Sequence, residues 1–407
     1  MLRLLYIIPY APGLIRPRSY HLIRTLARRG HRIALATLWE NAGERQVLSE
    51  LAELGVDLIA QPAFRSQKIK NLGAAFLNGK PLQARYSWSP LLAAGILEKL
   101  AAAADTDLIH IEHLRGSEYG YFLRSNPGRG RRIPIVWDSV DCISHLFEQA
   151  VRQSRSGFGK WMSRFELGRT RRYEGAAVRK FERVLVTSAI DRQALIQLAG
   201  GNSANTLPPI DILPNGVDLR TFHPIDEPYH SDTIVFTGKL SYHANVTAAM
   251  MLIDRIMPLV WSERPALKLQ VVGKDPPAGL RIAARRDSRV QIKSNVPEMQ
   301  VYLARAAVAV APIVYGAGIQ NKILEALACG TPVVASPHAL APLQIRAGEE
   351  ILEGKDDQGM ADQILLLVNN PARRAELAAA GLRFVRGRYD WETIVSSLES
   401  IYDKTIH

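Results

Sequence analysis

The sequence is poor in cysteine, with only Cys142 and Cys329 among its 407 residues. Two cysteines give no disulfide framework, and we therefore expect a protein of the reducing cytoplasm. No apolar run reaches the ~18–20 residues that span a bilayer. The apolar start, MLRLLYIIPY, is short, is followed by prolines and lacks a small-residue cleavage site. It therefore predicts a first core strand and not a signal peptide.

Motifs of common cofactor and metal sites are also missing. The loop after the first predicted strand, PYAPGLIRPRSY, has one glycine where a dinucleotide dehydrogenase has G-x-G-x-x-G. Its arginines, Arg16 and Arg18, stand where a helix begins, so they either bind an anion or lie solvated on the loop. No D-x-D motif stands out as a holder of a divalent metal. We expect neither a bound cofactor nor a metal ion.

HIEH, at 110–113, ends a predicted strand and combines side chains that could bind a metal. His110 and Glu112 share one face of the strand, and His113 lies at or past its tip. A metal site needs a third or fourth ligand with supporting spacing, and the sequence shows none. A structural role and a substrate contact through Glu112 or His113 both stay open.

Two other segments have ordinary structural explanations beside functional ones. The carboxylates of WDSVD, at 137–141, end another strand, where Asp138 or Ser139 could cap the next helix. In residues 157–181, aromatic side chains and Met alternate with Arg and Lys. This pattern fits a membrane-surface face or an amphipathic helix packed on its own domain. The apolar residues at helical spacing are Trp161, Met162 and Phe165.

The net charge of +12 lies entirely in the first half of the chain. Residues 1–215 hold 30 basic and 18 acidic side chains, whereas residues 216–407 hold 21 of each. Such an uneven field predicts that the first half meets something anionic. Nucleic acid, a membrane surface and a phosphorylated or acidic glycan are all compatible with the charge alone.

Short apolar runs alternate with helix-like stretches along both halves of the chain. The first half contains LLYIIPY, HRIALATL, DLIHIEHL, IPIVWD and RVLVTS, and the second contains DTIVFTGKL, ALKLQVVGK, RVQIKSNV, VAVAPI and TPVVAS. Fully apolar, β-branched strands in repeated strand–helix units predict parallel sheets covered on both faces. We expect an α/β fold of two doubly wound domains, with ligands at the carboxyl ends of the strands.

The joint between these domains is predicted at 222–233, where FHPIDEPYHSDT lacks periodicity. The predicted domains are 1–222 and 223–390. The last stretch, 391–407, predicts a helix that packs back across the joint.

The segment GAGIQNKILEALACG, at 316–330, combines two glycines with a charged helical face. In a helix that starts near Gly318, Lys322 and Glu325 fall together on one face. Free N–H groups of residues 318–321 would form a phosphate site. Lys322 opposes the helix dipole there, and a phosphate would remove that conflict. Glu325 could accept both hydroxyls of a ribose; the alternative is an ordinary Lys–Glu surface pair.

A second predicted strand end converges on the same place. FTGKL, at 236–240, ends the first strand of the second domain with a glycine and Lys239. A doubly wound domain aims this loop at the same crevice.

Four segments together resemble the retaining glycosyltransferases of family 4, which have the two-domain GT-B fold. They are PYAPGLIRPRSYHLIRTLARRGH, LPNGVDLRTFHP, FTGKLSYHANVTA and GIQNKILEALACGTPVVAS, of which the last is the most specific. The resemblance covers nearly the whole chain. It implies two Rossmann-like domains that face a central cleft, with the acceptor side in the first and the nucleotide sugar in the second.

The resemblance also implies roles for individual residues. Glu325 matches the second glutamate of the family's E-x7-E motif, which holds the donor ribose, and Lys239 takes the place of the arginine that neutralises the diphosphate. The implied donor-binding residues are Gly13, Gly238, Lys239, Gly273, Val296, Gly318, Ile319, Gln320, Asn321, Lys322 and Glu325. The implied catalytic residues are Lys239, Lys322, Glu325 and His113. The implied acceptor-side residues are Arg16, Arg18, Glu112 and His113.

The chain departs from the family pattern at two points. Ala317 stands where the first motif glutamate would touch the donor sugar. The lysine usually found five or six residues after the arginine position is absent, since Ala244 and Asn245 stand there. The diphosphate would then rely on Lys239 and Lys322.

The resemblance implies metal-independent transfer, with retention, from a UDP or GDP sugar to a glycan or lipid-linked acceptor. The sequence is similar to transferases of bacterial exopolysaccharide systems in the cell envelope. We expect a cytoplasmic protein at the inner membrane face, with an anionic membrane surface and no nucleic acid among its partners. The alternatives are a sugar-nucleotide epimerase of the same architecture, a catalytically weak homologue, a nicotinamide dehydrogenase and a non-catalytic basic binding protein.

Overall fold

The computed structural model describes residues 1–13, 16–102, 105–126, 132–153, 157–201, 207–226, 230–316 and 318–407. Of residues 150, 152, 153, 157–161 and 163 it describes the backbone alone. The predicted linker at 222–233 lies partly outside the described residues, and Ala317 lies outside them.

The chain forms two compact units, Met1–Pro214 with Ile394–His407, and Asn215–Thr393. The sequence-based boundaries after 222 and 390, the return of the last helix across the joint and the central cleft stay predictions.

The first unit is built on a seven-stranded sheet in which every described pair of neighbouring strands is parallel. The strands are β1 (Arg3–Ile8), β2 (Arg32–Trp39), β3 (Asp57–Pro62), β4 (Leu108–Glu112), β5 (Ile135–Val140), β6 (Arg183–Val186) and β7 (Ile210–Ile212). Their spatial order is β3-β2-β1-β4-β5-β6-β7. The reversal beside β1 makes this a doubly wound sheet.

Helices separate most of these strands in the chain. They are α1 (Pro17–Arg28), α2 (Ala42–Glu53), α3 (Arg65–Leu77), α4 (Leu82–Tyr86), α5 (Pro90–Ala102), α6 (His113–Ser125), α7 (Ile143–Gln153), α8 (Gly157–Val178) and α9 (Ala189–Leu198).

The second unit repeats the design with a six-stranded sheet whose described pairs are also parallel. Its strands are β8 (His230–Thr237), β9 (Lys268–Gly273), β10 (Val290–Ser294), β11 (Ala306–Ala311), β12 (Val333–Ala335) and β13 (Leu352–Glu353), in the order β10-β9-β8-β11-β12-β13. The helices are α10 (His243–Met251), α11 (Met257–Glu263), α12 (Ala278–Ala284), α13 (Met299–Ala304), α14 (Asn321–Ala328), α15 (Pro337–Leu340), α16 (Asp357–Asn369) and α17 (Pro371–Arg388). A π-helical turn, Leu252–Ile256, joins α10 to α11, and α18 (Trp391–Ile406) ends the chain.

The cores lie where the apolar sequence runs predict them. Strands β1, β4 and β11 are buried along nearly their whole length, as expected for parallel strands covered on both faces. The prediction of two doubly wound α/β domains is confirmed. Strands β3, β7 and β13 add to those that the sequence indicated.

Because the strands of each sheet are parallel, their carboxyl ends meet at one edge. In the second unit this edge carries the loops after β8, β9 and β11. Within the described residues, no helix combines the length and the hydropathy needed to cross a bilayer.

Candidate functional site

The loop between β11 and α14 carries two glycines in conformations that other residues rarely adopt. Gly316 has φ 135° and Gly318 has φ 69°. Helix α14 begins at Asn321, with Gln320 as its N-cap residue. The prediction of a helix start near Gly318 is therefore wrong, since the positive φ of Gly318 cannot continue into a right-handed helix.

This late helix start leaves a run of backbone donors at the loop. The N–H groups of residues 318–322 form no hydrogen bond with other described residues, whereas Ile323 N–H donates to the Gln320 carbonyl at 2.9 Å. Successive N–H groups before and at a helix N-terminus suit an anion. The loop can therefore hold a phosphate group through its backbone.

The Lys322 ammonium lies beside this run of donors and is held by two amide oxygens. Its Nζ donates to Asn245 Oδ1 at 2.9 Å and to Gln320 Oε1 at 3.2 Å. Burial lowers the pKa of Lys322 to about 8, against the opposing charge of Glu325. The described structure shows no Lys322–Glu325 ion pair, so the interpretation as a surface pair is wrong: Lys322 instead points towards Asn245.

Glu325 lies one turn further along α14, and its carboxylate makes no hydrogen bond or ion pair with any described residue. Burial raises its pKa to about 7, while Lys322 acts in the opposite direction. Placing a half-buried carboxylate without a hydrogen-bond partner lowers the stability of the fold, so folding by itself does not explain this residue. Such a group is typical of a ligand site.

Gly238 and Lys239 follow β8 and face the same loop through Asn245. The Asn245 side chain donates from Nδ2 to the Lys239 carbonyl at 2.9 Å and accepts from Lys322. Lys239 itself is exposed, and its side chain has no partner among the described residues. Asn245 thus joins the β8–α10 loop to α14 and positions both Lys239 and Lys322. The sequence shows Asn245 only as a residue that stands where the family usually has a lysine.

Gly273, at the end of β9, lies directly against the Gly238 backbone. A Cβ atom there would stand 1.8 Å from the Gly238 carbonyl oxygen. The predicted donor-binding role of Gly273 therefore has a structural basis in close packing of the two loops, and a direct ligand contact stays a prediction.

We expect Gly273→Ala to displace the 238–239 backbone and to destabilise the second unit by roughly 2 kcal/mol or more. Gly279→Ala is the matched control, because nothing lies within 4 Å of a Cβ at Gly279, in the same unit. Chemical unfolding of both variants tests this. Equal stability of the two variants would contradict the close packing.

The remaining residues predicted to bind the donor, Ile319, Val296 and Asn321, are largely held by contacts within the second unit. Ile319 is buried in the core, and Val296 packs against that core. Asn321 Oδ1 accepts from Asn215 Nδ2 at 3.4 Å, which ties α14 to the LPNGVD segment. Because Ile319 and Val296 are held by packing, only their backbone groups are suited to contact a polar ligand.

In the first unit, Glu112 ends β4 and lies inside a group of hydroxyl donors. Its carboxylate accepts from Ser19 Oγ at 2.8 Å, Tyr10 Oη at 2.9 Å and Tyr6 Oη at 3.2 Å. Burial, reinforced by the negative charge of Asp138, raises its pKa to about 7. Only 2% of Glu112 is exposed, which favours the structural role over a substrate contact. The substrate contact stays a prediction.

Arg18 is likewise internal and not a solvated loop residue. It lies in α1 and is 5% exposed. It donates from Nε to Asp138 Oδ2 at 2.9 Å and from Nη1 to the Pro214 carbonyl at 3.1 Å. The alternative of a solvated loop arginine is therefore wrong, because β5 places Asp138 against the Arg18 guanidinium. The acceptor-side role of Arg18 stays a prediction that its burial disfavours. Burial alone would raise the pKa of Asp138, but Arg18 and His110 hold it at about 2.

We expect Asp138→Asn to lower the free energy of unfolding of the first unit by about 3 kcal/mol, since it leaves Arg18 buried without a counter-charge. The exposed Arg3–Asp105 pair offers a control, as Asp105→Asn removes a surface ion pair of the same unit and should change stability by less than about 1 kcal/mol. Urea unfolding of both variants measures the difference. A loss for Asp138→Asn no larger than for Asp105→Asn would contradict the assignment.

Side-chain atoms of His110, Glu112 and Asp138 lie within 4.8 Å of one another and could be considered as metal ligands. Two of these side chains already have other partners. Tyr402 Oη lies 2.8 Å from His110 Nδ1, and the Arg18 guanidinium forms an ion pair with Asp138. A cation would have to displace the Arg18 charge, so the cluster fits a buried polar network. The sequence Asp105-Thr106-Asp107 also offers no open metal site, as both of its carboxylates contact Arg3.

His113 follows Glu112 and has φ 67°, an uncommon conformation for a residue other than glycine. Its Nδ1 accepts from the Arg115 N–H at 3.3 Å. Burial and the charge of Arg115 lower the pKa of His113 to about 3. The ring is therefore neutral near pH 7 with its proton on Nε2, which has no partner among the described residues.

Two other first-unit residues border the β1–α1 loop. Arg16 is partly exposed, lies 4.7 Å from the centroid of the Tyr10 ring and donates to the Ala11 carbonyl at 3.2 Å. The Gly13 carbonyl accepts from Arg16 N–H at 2.8 Å. Ligand contacts by Gly13 and Arg16 stay predictions.

The helix cap expected from WDSVD is supplied elsewhere. Glu174, on α8, accepts from the N–H groups of Ile143 and Ser144 at the start of α7, whereas Asp138 lies within β5. The capping prediction is wrong because the strand extends through Asp138. Within the 157–181 segment, helix α8 contributes Thr170 and Glu174 to the buried interior of its own unit. The side chain of Trp161 is not among those that the structure describes.

Two family models match the chain. The model described as "Glycosyl transferase 4-like domain" matches residues 15–216, and the one described as "Glycosyl transferases group 1" matches residues 231–370. Together they cover most of both units.

Named relatives agree with these matches. The chain is 25% identical to D-inositol 3-phosphate glycosyltransferase 1 of Catenulispora acidiphila, over 75% of this chain and 74% of that protein. It is 28% identical to the GDP-mannose-dependent monoacylated alpha-(1-6)-phosphatidylinositol monomannoside mannosyltransferase of Corynebacterium glutamicum, over 48% of this chain and 56% of that protein.

Solved structures show the same fold. A sucrose-phosphate synthase from Thermosynechococcus elongatus aligns with a TM-score of 0.70 and 17% identity, over 99% of both chains. HepE of Anabaena in complex with UDP aligns with a TM-score of 0.69 and 16% identity, over 99% of this chain and 100% of that one. The protein therefore belongs to the family 4 glycosyltransferases, enzymes of the GT-B fold.

Proposed function

We propose that this enzyme transfers a sugar, with retention and without a metal ion, from a nucleoside-diphosphate sugar to a glycan or lipid-linked acceptor. The observation that carries the donor assignment is the carboxylate of Glu325, which has no partner among the described residues. It lies one helical turn from the N–H groups of residues 318–322, which likewise form no hydrogen bond with described residues. A carboxylate that accepts from two hydroxyls and a run of amide N–H groups that donate to phosphate oxygens match the two polar parts of a nucleoside diphosphate.

The diphosphate would be held by positive charge from the protein. Lys322 lies beside the amide run, and exposed Lys239 is joined to it through Asn245. These donors can stabilise the negative charge that develops on the leaving diphosphate, which is the role a metal ion plays in other transferases. The same phosphate would help to take the proton of the acceptor hydroxyl.

His113 keeps its predicted role as a group that approaches the reacting sugar. Its neutral ring offers an Nε2–H donor, and its strained backbone is of the kind that clusters at functional sites. Because its pKa is held at about 3, His113 would act as a hydrogen-bond donor and not as a cation.

The acceptor class is supported by charge and by the relatives' names. Residues 1–215 carry the whole net positive charge. The relatives are named for D-inositol 3-phosphate and for a phosphatidylinositol monomannoside, both of which are anionic. We infer an anionic or lipid-linked acceptor met at the inner membrane face, in the assembly of an exopolysaccharide or another envelope glycan, with UDP or GDP in the donor.

The test incubates the protein with UDP-glucose or GDP-mannose, with vesicles that contain phosphatidylinositol or with inositol phosphate, in the presence of EDTA. We expect release of the nucleoside diphosphate and a product whose anomeric configuration, read by NMR, matches the donor. Loss of the reaction in EDTA would contradict the metal-independent mechanism. An epimerised sugar nucleotide formed without acceptor and without diphosphate release would identify an epimerase instead.

A further inference from the structure

Helix α3 of the first unit exposes an unusual amount of apolar surface. Leu77 is 83% exposed, Ile69 70%, Phe76 57%, and Phe64, which precedes the helix, 53%. Single exposed apolar residues are ordinary on protein surfaces, but a group on one short segment marks an interaction site.

The exposed residues lie on one side of the helix. Phe76 and Leu77 follow Ile69 by seven and eight residues, which is two helical turns. The opposite side of α3 is fixed to the unit by Asn71, which donates from Nδ2 to the carbonyls of Tyr86 at 3.1 Å and Trp88 at 2.7 Å. Because these hydrogen bonds fix the Asn71 side of α3 to the unit, the side with Ile69, Phe76 and Leu77 is the one left exposed.

The charge around this helix is mostly basic, and the acidic group that contacts it, Glu40, is paired with Lys68 at 2.7 Å. Residues 58–97 contain no Asp or Glu, and the exposed side chains of Arg65 and Lys70 lie on α3 itself. From α8, the Arg169 guanidinium lies 5.4 Å from the centroid of the Phe76 ring. Apolar and aromatic side chains flanked by an excess of basic ones fit the interface of an anionic bilayer.

We propose that the α3 surface, defined as Phe64, Arg65, Ile69, Lys70, Phe76 and Leu77, binds an anionic phospholipid membrane. The apolar side chains enter the boundary between headgroups and acyl chains, and the basic ones contact the phosphates. Charge disfavours a second copy of the chain as the occupant, since a two-fold contact would set the same basic surface against itself. The segment 157–181 is not needed as the principal membrane face.

The inference deepens the proposed function by placing the acceptor-side unit at the lipid that would carry the acceptor. Vesicle binding needs neither donor nor acceptor, however. Loss of sugar transfer with vesicle binding intact would therefore refute the proposed function alone, and the reverse result would refute this inference alone.

The test measures co-sedimentation with vesicles of phosphatidylcholine containing phosphatidylglycerol, and with pure phosphatidylcholine, at low salt. We expect the wild type to bind the anionic vesicles and to bind the neutral ones far more weakly. Phe76→Ser with Leu77→Ser should weaken anionic binding roughly tenfold or more, through loss of buried apolar area. Arg65→Glu with Lys70→Glu should weaken it by a similar factor and reduce its salt dependence.

Ile282→Ser and Lys355→Glu are the matched controls, since both side chains are exposed and lie in the second unit. Both should bind as the wild type does. The proposal is overturned if the wild type does not bind anionic vesicles, or if the α3 variants bind as well as the controls. It is also overturned if the Phe76 and Leu77 substitutions abolish self-association of the protein while vesicle binding is unchanged.

Discussion

Replacing Lys322 with methionine is expected to slow sugar transfer about 10²–10³-fold, because it removes an oriented charge donor from the leaving diphosphate. Methionine is one atom shorter than lysine, but its unbranched apolar side chain can still pack towards the Phe236 ring, which lies 5.7 Å from Nζ. The substitution also removes a cation whose pKa burial lowers to about 8. This gain offsets the loss of the hydrogen bonds to Asn245 and Gln320, so we expect little net change in the stability of the fold. Steady-state rates with saturating donor measure the effect.

Lys355→Met provides the comparison, since Lys355 is exposed in the same unit. It should leave the rate unchanged. A Lys322→Met enzyme that turns over at the wild-type rate would show that Lys322 does not act on the diphosphate. A fall in rate accompanied by a large loss of stability would show that it acts as a structural residue.

Glu325→Gln is expected to weaken binding of the donor roughly 10–100-fold, because hydrogen bonds to a charged acceptor contribute more than those to a neutral one. The amide keeps the shape of the carboxylate but gives up its charge and one of its two acceptor oxygens. Calorimetric titration with UDP-glucose or GDP-mannose measures the loss. Wild-type affinity in the variant would exclude Glu325 from the donor site.

The same residue gives donor binding a pH dependence of defined sign. Glu325 must be ionised to accept two hydroxyls, and burial raises its pKa to about 7, so affinity should rise as the pH increases through 7. Lys322 must be protonated, and its pKa is about 8, so affinity should fall as the pH increases through 8. Glu325→Gln should abolish the acidic limb alone. A nucleotide sugar is the suitable ligand because its diphosphate does not titrate in this range.

Stability should respond to pH in the opposite direction from donor affinity on the acidic side. The folded-state pKa of Glu325 lies above the usual value of 4.5, so the folded protein binds the proton more tightly than the unfolded chain does. The resulting stabilisation is fully present below 4.5 and is lost as the pH rises through about 7. Glu325→Gln should remove this contribution.

The sequence predicts the fold well because the relevant signals are local. Central strands such as β1 and β11 are continuous apolar runs, and those runs are found only where both faces of a sheet are covered. The charged face of α14 and the two glycines before it likewise predict the proposed donor site. The exact helix start depends on the φ of Gly318, which a sequence pattern does not show.

Contacts between distant residues could not be predicted in the same way. Arg18 and Asp138 are 120 positions apart, and only the pairing of β1, β4 and β5 brings them together. Asn245 stands 77 positions from Lys322, so its bond to that lysine is not visible in either motif. The sequence marks Asn245 as a missing lysine, whereas the structure shows that Lys322 supplies an ammonium group beside it.

The most direct test of the donor site compares a nucleoside diphosphate with its 2′,3′-dideoxy analogue by calorimetry, on the wild type and on Glu325→Gln. The wild type should bind the analogue roughly 10–100-fold more weakly than the parent nucleotide, and the variant should show a much smaller preference, because its amide keeps one neutral acceptor oxygen. Equal affinity of the wild type for both nucleotides, or a preference for the parent that is undiminished in Glu325→Gln, would show that Glu325 does not hold the ribose.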